Sequence, residues 1–312
     1  MELSGIFPTM LTPYTATDEV DYAGVEALVE WYWKKGCDGI FALCQSSEIR
    51  YLTLEERLKI GSCVLKKAAL LAKNDQSRPP LKIVASAHIA DDFEEQVREL
   101  TETAKLGFDA LVLVTNRMDI ENTSEDRWIA DMNRLIERIP AKVPLGLYEC
   151  PLPYKRILTP KMLKACAESG RFVFLKDTCC DLATIIERVN LLKGRSLGLF
   201  NANAQTLLGS WRAGACGYSG IMANFHPELY GYLFRHQNEQ KSDLLQSFLC
   251  LSAFTEVMPY PATAKYYLKR YEGVEIGTYS RSVDCNLLTD YHKDVLRQMR
   301  LLSNEWNEIL KI

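Results

Sequence analysis

The feature that most constrains this chain is a rhythm: short apolar runs alternate with amphipathic stretches eight times before about residue 220. The runs lie at 6–11, 39–43, 83–87, 110–115, 143–148, 172–176, 197–201 and 217–221. Most are continuously apolar rather than alternating, which suits strands buried on both faces. Between them, Val25, Leu28, Val29, Tyr32 and Trp33 fall on one helical stripe. So do Phe93, Val97, Leu100 and Ala104, and likewise Leu182, Ile185, Ile186 and Val189. Thr53-Leu-Glu-Glu56 is a capping box, and Thr159-Pro160 sets proline at the first position of a helix. Eight strand–helix repeats imply parallel strands joined by right-handed crossovers. They predict an α/β fold, a closed (β/α)8 TIM barrel, although periodicity alone leaves an open doubly wound sheet available.

Beyond about residue 225 the strand rhythm stops. Stretches 244–254, 262–271 and 287–310 read as helices. The expected organisation is a barrel over 1–225 followed by a C-terminal helical extension over 226–312.

Composition narrows the partners. A net charge of -3 gives no basic footprint for nucleic acid. No apolar run approaches the ~20 residues of a membrane span. Met1-Glu2-Leu3-Ser4-Gly5 lacks the charged and apolar regions of a signal peptide. The ten cysteines show no Cys-x-x-Cys or Cys/His ligand spacing, and read as reduced, small apolar residues of a cytoplasmic protein. The four histidines, at 88, 226, 236 and 292, are scattered, so neither a metal centre nor a cofactor is expected.

A barrel carries its chemistry at the C-terminal ends of its strands. Lys176 ends the run Phe172-Val-Phe-Leu-Lys176, where alternation places Phe172, Phe174 and Lys176 on one face. An amine at an apolar mouth is desolvated, which favours the neutral nucleophile; a snorkelling lysine is the plain alternative. Tyr148 ends the run at 143–148 and could relay a proton, or could be a mouth tyrosine with a satisfied hydroxyl. Cys44-Gln-Ser-Ser-Glu48 offers Ser46, Ser47 and a turn of N–H groups to a carboxylate, unless it is an ordinary polar loop. His88, after the third run, is an acid/base candidate or a loop histidine.

The order of these segments resembles the dihydrodipicolinate synthase / N-acetylneuraminate lyase family over about residues 4 to 225. Gly5-Ile-Phe-Pro-Thr-Met-Leu-Thr-Pro13 is similar to its opening strand. Cys44-Gln-Ser-Ser-Glu48 and Leu52-Thr-Leu-Glu-Glu-Arg57 stand where that family has G-T/S-T-G-E…L-x-x-E-E-R. Tyr148-Glu-Cys-Pro151 resembles its Y-N-x-P, and Leu175-Lys176-Asp177 its lysine strand. Gly217-Tyr-Ser-Gly-Ile-Met-Ala-Asn224 resembles the segment beside the substrate, with Ile221 at the ligand.

The resemblance implies a class I barrel lyase, a homo-oligomer (tetramer or dimer), acting on a small 2-keto acid such as pyruvate. It implies that Lys176 forms the imine, Tyr148 moves protons and Ser46 holds the carboxylate, with Gln45 where the first hydroxyl residue stands and Ser47 in place of a glycine. Departures imply a changed second substrate. Val114-Thr-Asn-Arg-Met118 lacks the synthases' tyrosine pair, and Pro153 stands where their arginine binds the second substrate, with Arg156 taken as the nearest cation. Gln45, His88, Asn116, Arg117, Glu149 and Asn201 are candidate selectors of the non-pyruvate end, Glu149 being aimed away from Tyr148 by alternation. Cys44 and Cys150 lie close to this centre. The expected activity is an aldolase or dehydratase for a 2-keto-3-deoxy acid. Dihydrodipicolinate synthase and a non-catalytic 2-keto-acid-binding barrel are the alternatives.

Overall fold

The computed structural model describes residues 3–86 and 88–312; Ala87, the end of the third predicted run, lies outside them. Strand and helix alternate as β1 (Gly5–Ile6), α1 (Tyr22–Lys34), β2 (Gly39–Ala42), α2 (Leu54–Asn74), β3 (Lys82–Ser86), α3 (Phe93–Ala104), β4 (Ala110–Val114) and α4 (Glu125–Glu137). They continue as β5 (Leu145–Tyr148), α5 (Pro160–Glu168), β6 (Phe172–Asp177), α6 (Leu182–Leu192), β7 (Gly198–Asn201), α7 (Leu207–Arg212), β8 (Gly217–Tyr218) and α8 (Pro227–Arg235). The strands are all parallel, and β1 lies beside β8. A parallel bridge between Thr9 and Phe41 closes the ring, with the Phe41 N–H donating to Pro8 at 2.9 Å and the Met10 N–H to Phe41 at 3.0 Å. The chain is thus a (β/α)8 barrel with helices following it.

Two strands are shorter than their apolar runs. β1 stops at Ile6 because Pro8 has no N–H to continue the ladder. β8 stops at Tyr218, after which Ser219 makes one more bond to Asn201 and the chain coils into a 3-10 turn at Ile221–Asn224. β6 also departs from simple alternation. Its partners step from Leu145 to Gly146 while β6 steps from Phe172 to Phe174, an extra residue that forms a bulge. Phe172 therefore packs in the outer core, whereas Phe174 stays inside the barrel below Lys176.

The interior is an aromatic plug. Phe7, Phe41, Phe174 and Phe200 pack with ring centroids 4.5–6.0 Å apart. Gly217 makes room for it, since a Cβ there would sit 2.6 Å from Phe200 and 2.1 Å from the Gly5 carbonyl. Outside the sheet, the α1 stripe is fully buried. The predicted α6 stripe is only partly so: Ile185 is buried but Ile186 is exposed, and Arg188 takes the inward position. Both sequence-derived caps are present. Thr53 Oγ1 receives the Glu56 N–H at 3.1 Å while Glu56 receives that of Thr53 at 2.9 Å, and Thr159 caps α5 ahead of Pro160.

Three further helices follow, α9 (Ser242–Ser252), α10 (Ala262–Tyr271) and α11 (Asp290–Leu310), with α11 packed on α8 and α10. Among the described residues no helix is long and apolar enough to cross a membrane.

Candidate active site

At the C-terminal mouth of the barrel lies a cavity of about 430 Å³, within the range typical of small-molecule sites. Its floor is built by β5 and β6. Tyr148 and Lys176 are register partners on these adjacent strands, so both side chains emerge inward at one level. The Lys176 Nζ lies 4.6 Å from the Tyr148 ring centroid and 5.6 Å from that of Phe41. Only 5 % of Lys176 is exposed, and its amine makes no hydrogen bond or ion pair with a described residue. Burial holds its pKa below the usual lysine value, against the opposing fields of Cys44, Cys150 and Glu256. Burial also pushes the Tyr148 phenol well above its ordinary value, so it stays protonated at neutral pH.

The second wall is the turn after β2. Leu43 and Glu48 adopt left-handed backbone, with φ of 52° and 58°, and between them Gln45–Ser47 form a 3-10 turn. Strain of this kind at non-glycine residues persists only where surroundings enforce it. Here the enforcement comes from the C-terminal extension. Glu48 is buried against Lys265 at 2.8 Å and accepts from Ser280, Ser282 and the backbone N–H groups of Arg281 and Ser282 at 2.7–2.9 Å. The glycine expected at Ser47 is dispensable because the positive φ falls on the residues flanking the turn.

Ser46 faces the cavity and its Oγ donates to Thr9 Oγ1 at 3.0 Å. Tyr260, from the α9–α10 connection, stands against both hydroxyls and receives Asn224 Nδ2 at 3.2 Å. Gln45 lines the cavity and its Oε1 accepts from the Cys150 thiol at 3.5 Å. Ile221 and Gly220 form the β8 side. The structure thus brings together Lys176, Tyr148, Ser46, Gln45, Ile221 and Cys150.

Other sequence candidates lie elsewhere. Ser47 donates inward to the Met10 carbonyl at 2.6 Å and accepts from the Cys44 N–H at 3.1 Å, fastening the turn rather than facing the cavity. His88 is fully buried, with Nε2 accepting from the Val114 N–H at 2.8 Å and Nδ1 3.0 Å from Gln96 Oε1. Burial lowers its pKa to about 4, so the neutral ring ties β3 to β4 and does not line the cavity. Asn116 is spent on the carbonyls of Cys150, Leu152 and Tyr154, and Arg117 on Asn116 and Asp91. Glu149 faces outward to Arg188, and Asn201 to Thr206 and Ser210. Arg156 is turned away to Asp119 at 3.2 Å.

Two cations line the cavity on that side: Arg50, which donates to the Leu152 carbonyl at 3.4 Å, and Lys155, which donates to the Thr178 carbonyl at 2.6 Å. Lys155 stands two residues from Pro153, so the sequence held its signal, but the pairing of Arg156 with Asp119 did not show there. Glu256 and Tyr260 were missed entirely, because the α9–α10 connection has neither periodicity nor motif. Among the described residues no cluster of potential metal ligands occurs.

Comparisons with known proteins agree with this architecture. The family model described as "Dihydrodipicolinate synthetase family" matches residues 2–298. A 4-hydroxy-tetrahydrodipicolinate synthase of Clostridium perfringens is 23% identical over 262 residues, covering 81% of this chain and 83% of that protein. The solved sialic acid aldolase of Ruminococcus gnavus superposes with a TM-score of 0.80 at 18% identity, covering 98% of each chain. A 4-hydroxy-tetrahydrodipicolinate synthase from Methylacidiphilum fumariolicum gives 0.81 at 17%, covering 99% of each. The barrel, its mouth and the match along nearly the whole chain lead to one assignment: this protein belongs to the dihydrodipicolinate synthetase family of class I lyases.

Proposed function

We propose that Lys176 forms a Schiff base with a small 2-keto acid, pyruvate first among them, and that the enzyme is an aldolase or dehydratase of a 2-keto-3-deoxy acid or related 2-oxo acid. The observation that carries this reading is the unpaired, desolvated amine of Lys176 at the floor of the cavity, beside the Tyr148 phenol. The neutral amine attacks the keto carbon, and loss of water leaves a protonated imine that draws electrons from the neighbouring carbon. Tyr148, protonated at neutral pH, donates to or accepts from the bound substrate. The Ser46 hydroxyl and the turn it belongs to receive the substrate carboxylate.

A second reading, condensation of pyruvate with a dicarboxylic aldehyde, is favoured by the activities named for the relatives and by Lys155, a cation in the cavity wall. Against it, the hydroxyl relay of the synthases is absent here: Gln45 replaces one member, and Thr115, after β4, donates to the Tyr148 and Arg156 carbonyls rather than into the cavity.

The test is incubation with pyruvate and borohydride, followed by intact and peptide mass spectrometry. A reduced adduct on Lys176, absent in Lys176→Ala, is expected, and turnover over a panel of aldehydes and 2-keto-3-deoxy acids then separates the readings. A protein left unmodified by pyruvate and by longer 2-keto acids overturns the imine assignment. Adduct formation without turnover of any panel member leaves a binding barrel.

A further inference from the structure

Two carboxylates line the cavity among the described residues, and they are placed in opposite circumstances. Glu48 is saturated by Lys265, two serine hydroxyls and two backbone N–H groups. Glu256, in the 3-10 segment Ala253–Val257 after α9, is half-buried and makes no hydrogen bond or ion pair with a described residue. The other acids near the mouth are committed as well: Glu149 and Asp177 to Arg188, and Asp119 to Arg156. Among the described residues the mouth therefore holds one free carboxyl and one free amine, which line the same cavity without touching as an ion pair.

We propose, building on the imine reading, that Glu256 is the proton carrier for Lys176, taking its ammonium proton through an intervening water before attack and returning that proton by the same route to the oxygen that leaves as water. The step balances. The carboxylate and ammonium become carboxylic acid and amine. The amine lone pair forms the C–N bond as the carbonyl π pair moves to oxygen, and the nitrogen proton passes to that oxygen. The resulting hydroxyl takes the Glu256 proton and departs as water, leaving a protonated imine and the carboxylate restored.

Such a carrier answers a deficit in the site. Tyr148 is a poor base, since burial keeps it protonated, and its thiol neighbour Cys150 is likewise pushed up by burial. Glu256 instead has its carboxyl pushed up to about 7 by burial, against the pull of Lys176, while burial pushes Lys176 down. The two shifts bring the proton affinities of the pair closer together, and Glu256 becomes a base matched to neutral pH. The other titratable groups in its field are Cys180, Tyr218, Tyr230 and Tyr260, all pushed upward by burial and neutral across this range. The pH response near 7 therefore falls to Glu256.

The experiment measures the rate of borohydride-trapped adduct on Lys176 at saturating pyruvate, across pH, for the wild type, Glu256→Gln and Glu256→Asp. Circular dichroism checks the fold of each. The wild-type rate should rise as pH passes about 7. Glu256→Gln should lose that rise and be slower at neutral pH, on the order of 10²-fold. Glu256→Asp should keep the rise at an intermediate rate. A carboxylate acting only through its charge predicts the reverse: its removal lowers the proton affinity of Lys176 and speeds trapping. A Glu256→Gln rate equal to or above the wild type overturns the proposal while leaving the imine reading intact. If Glu256→Gln does not fold, an Asp variant without the rise overturns it too. A wild type with no adduct on Lys176 removes both.

Discussion

Lys176 and Asp177 are consecutive residues of β6, yet they occupy opposite worlds. Lys176 points into the barrel, where its amine meets two aromatic faces and no counter-ion. Asp177 points outward, where it pairs with Arg188, which also holds Glu149 at 2.9 Å from the end of β5. Glu149 further accepts from the Leu158 and Thr178 N–H groups at 2.8 and 2.9 Å. Both faces are buried. The outer cluster satisfies nearly every polar atom and rigidifies the strand ends, while the inner face withholds partners from one amine. Burial with partners makes a charge structural; burial without them makes an amine reactive.

That contrast can be broken from either side. The largest effect belongs to Lys176→Met, which should abolish trapping of pyruvate outright and yet raise the denaturant midpoint at neutral pH. The sign follows from the depressed pKa: below the ordinary lysine value of 10.5 the unfolded chain binds a proton that the folded chain holds less well, so this residue opposes folding there. A destabilised Lys176→Met protein would mean that Lys176 has a partner after all. Next comes Arg188→Ala, which strands two buried carboxylates and should cost about 3–5 kcal/mol in urea unfolding. An unchanged unfolding curve would show the outer cluster to be ornamental.

Tyr148→Phe sharpens the inner face. It should slow turnover of the substrate panel on the order of 10²-fold with little change in melting temperature, because it keeps the buried ring and removes one hydroxyl. Turnover at the wild-type rate would assign substrate proton transfer elsewhere. The smallest effect is that of His88→Leu, which leaves the Val114 N–H without its acceptor and should cost about 1–3 kcal/mol while leaving the trapping rate alone. Its pH signature has a definite sign. With a folded pKa of about 4 against an ordinary 6.5, His88 makes the protein lose stability as pH falls from 6.5 towards 4. The variant should flatten that slope, and a fall in catalysis instead of stability would return His88 to the site.

The alternation of apolar runs and helical stripes marked a parallel α/β fold in the sequence, because strands buried on both faces and one-sided helices leave periodic traces, while closure of the sheet into a barrel shows in the pairing of β1 with β8 and of Thr9 with Phe41. Lys176 and Tyr148 were legible for the same reason: a polar residue closing an apolar run marks the barrel mouth. Ser46 and Ser47 looked equivalent by residue type, the resemblance favoured Ser46, and the 3-10 turn gives the physical reason, turning one hydroxyl to the cavity and the other to Met10. His88 and Asn116 were chemically plausible, and only the backbone groups they bind revealed that their capacity is used.

Nothing local marked Glu256, Tyr260 or Lys265. They reach the mouth because α9 and α10 pack over it, joining residues separated by 217 positions, as in the pair of Lys265 with Glu48. Sequence by itself thus determined the strand–helix repeats and a lysine at the end of one strand, since both follow from patterns within one strand or helix. The tertiary structure alone decided which polar groups remain unpaired beside that amine, since pairing depends on segments that meet only in the folded chain.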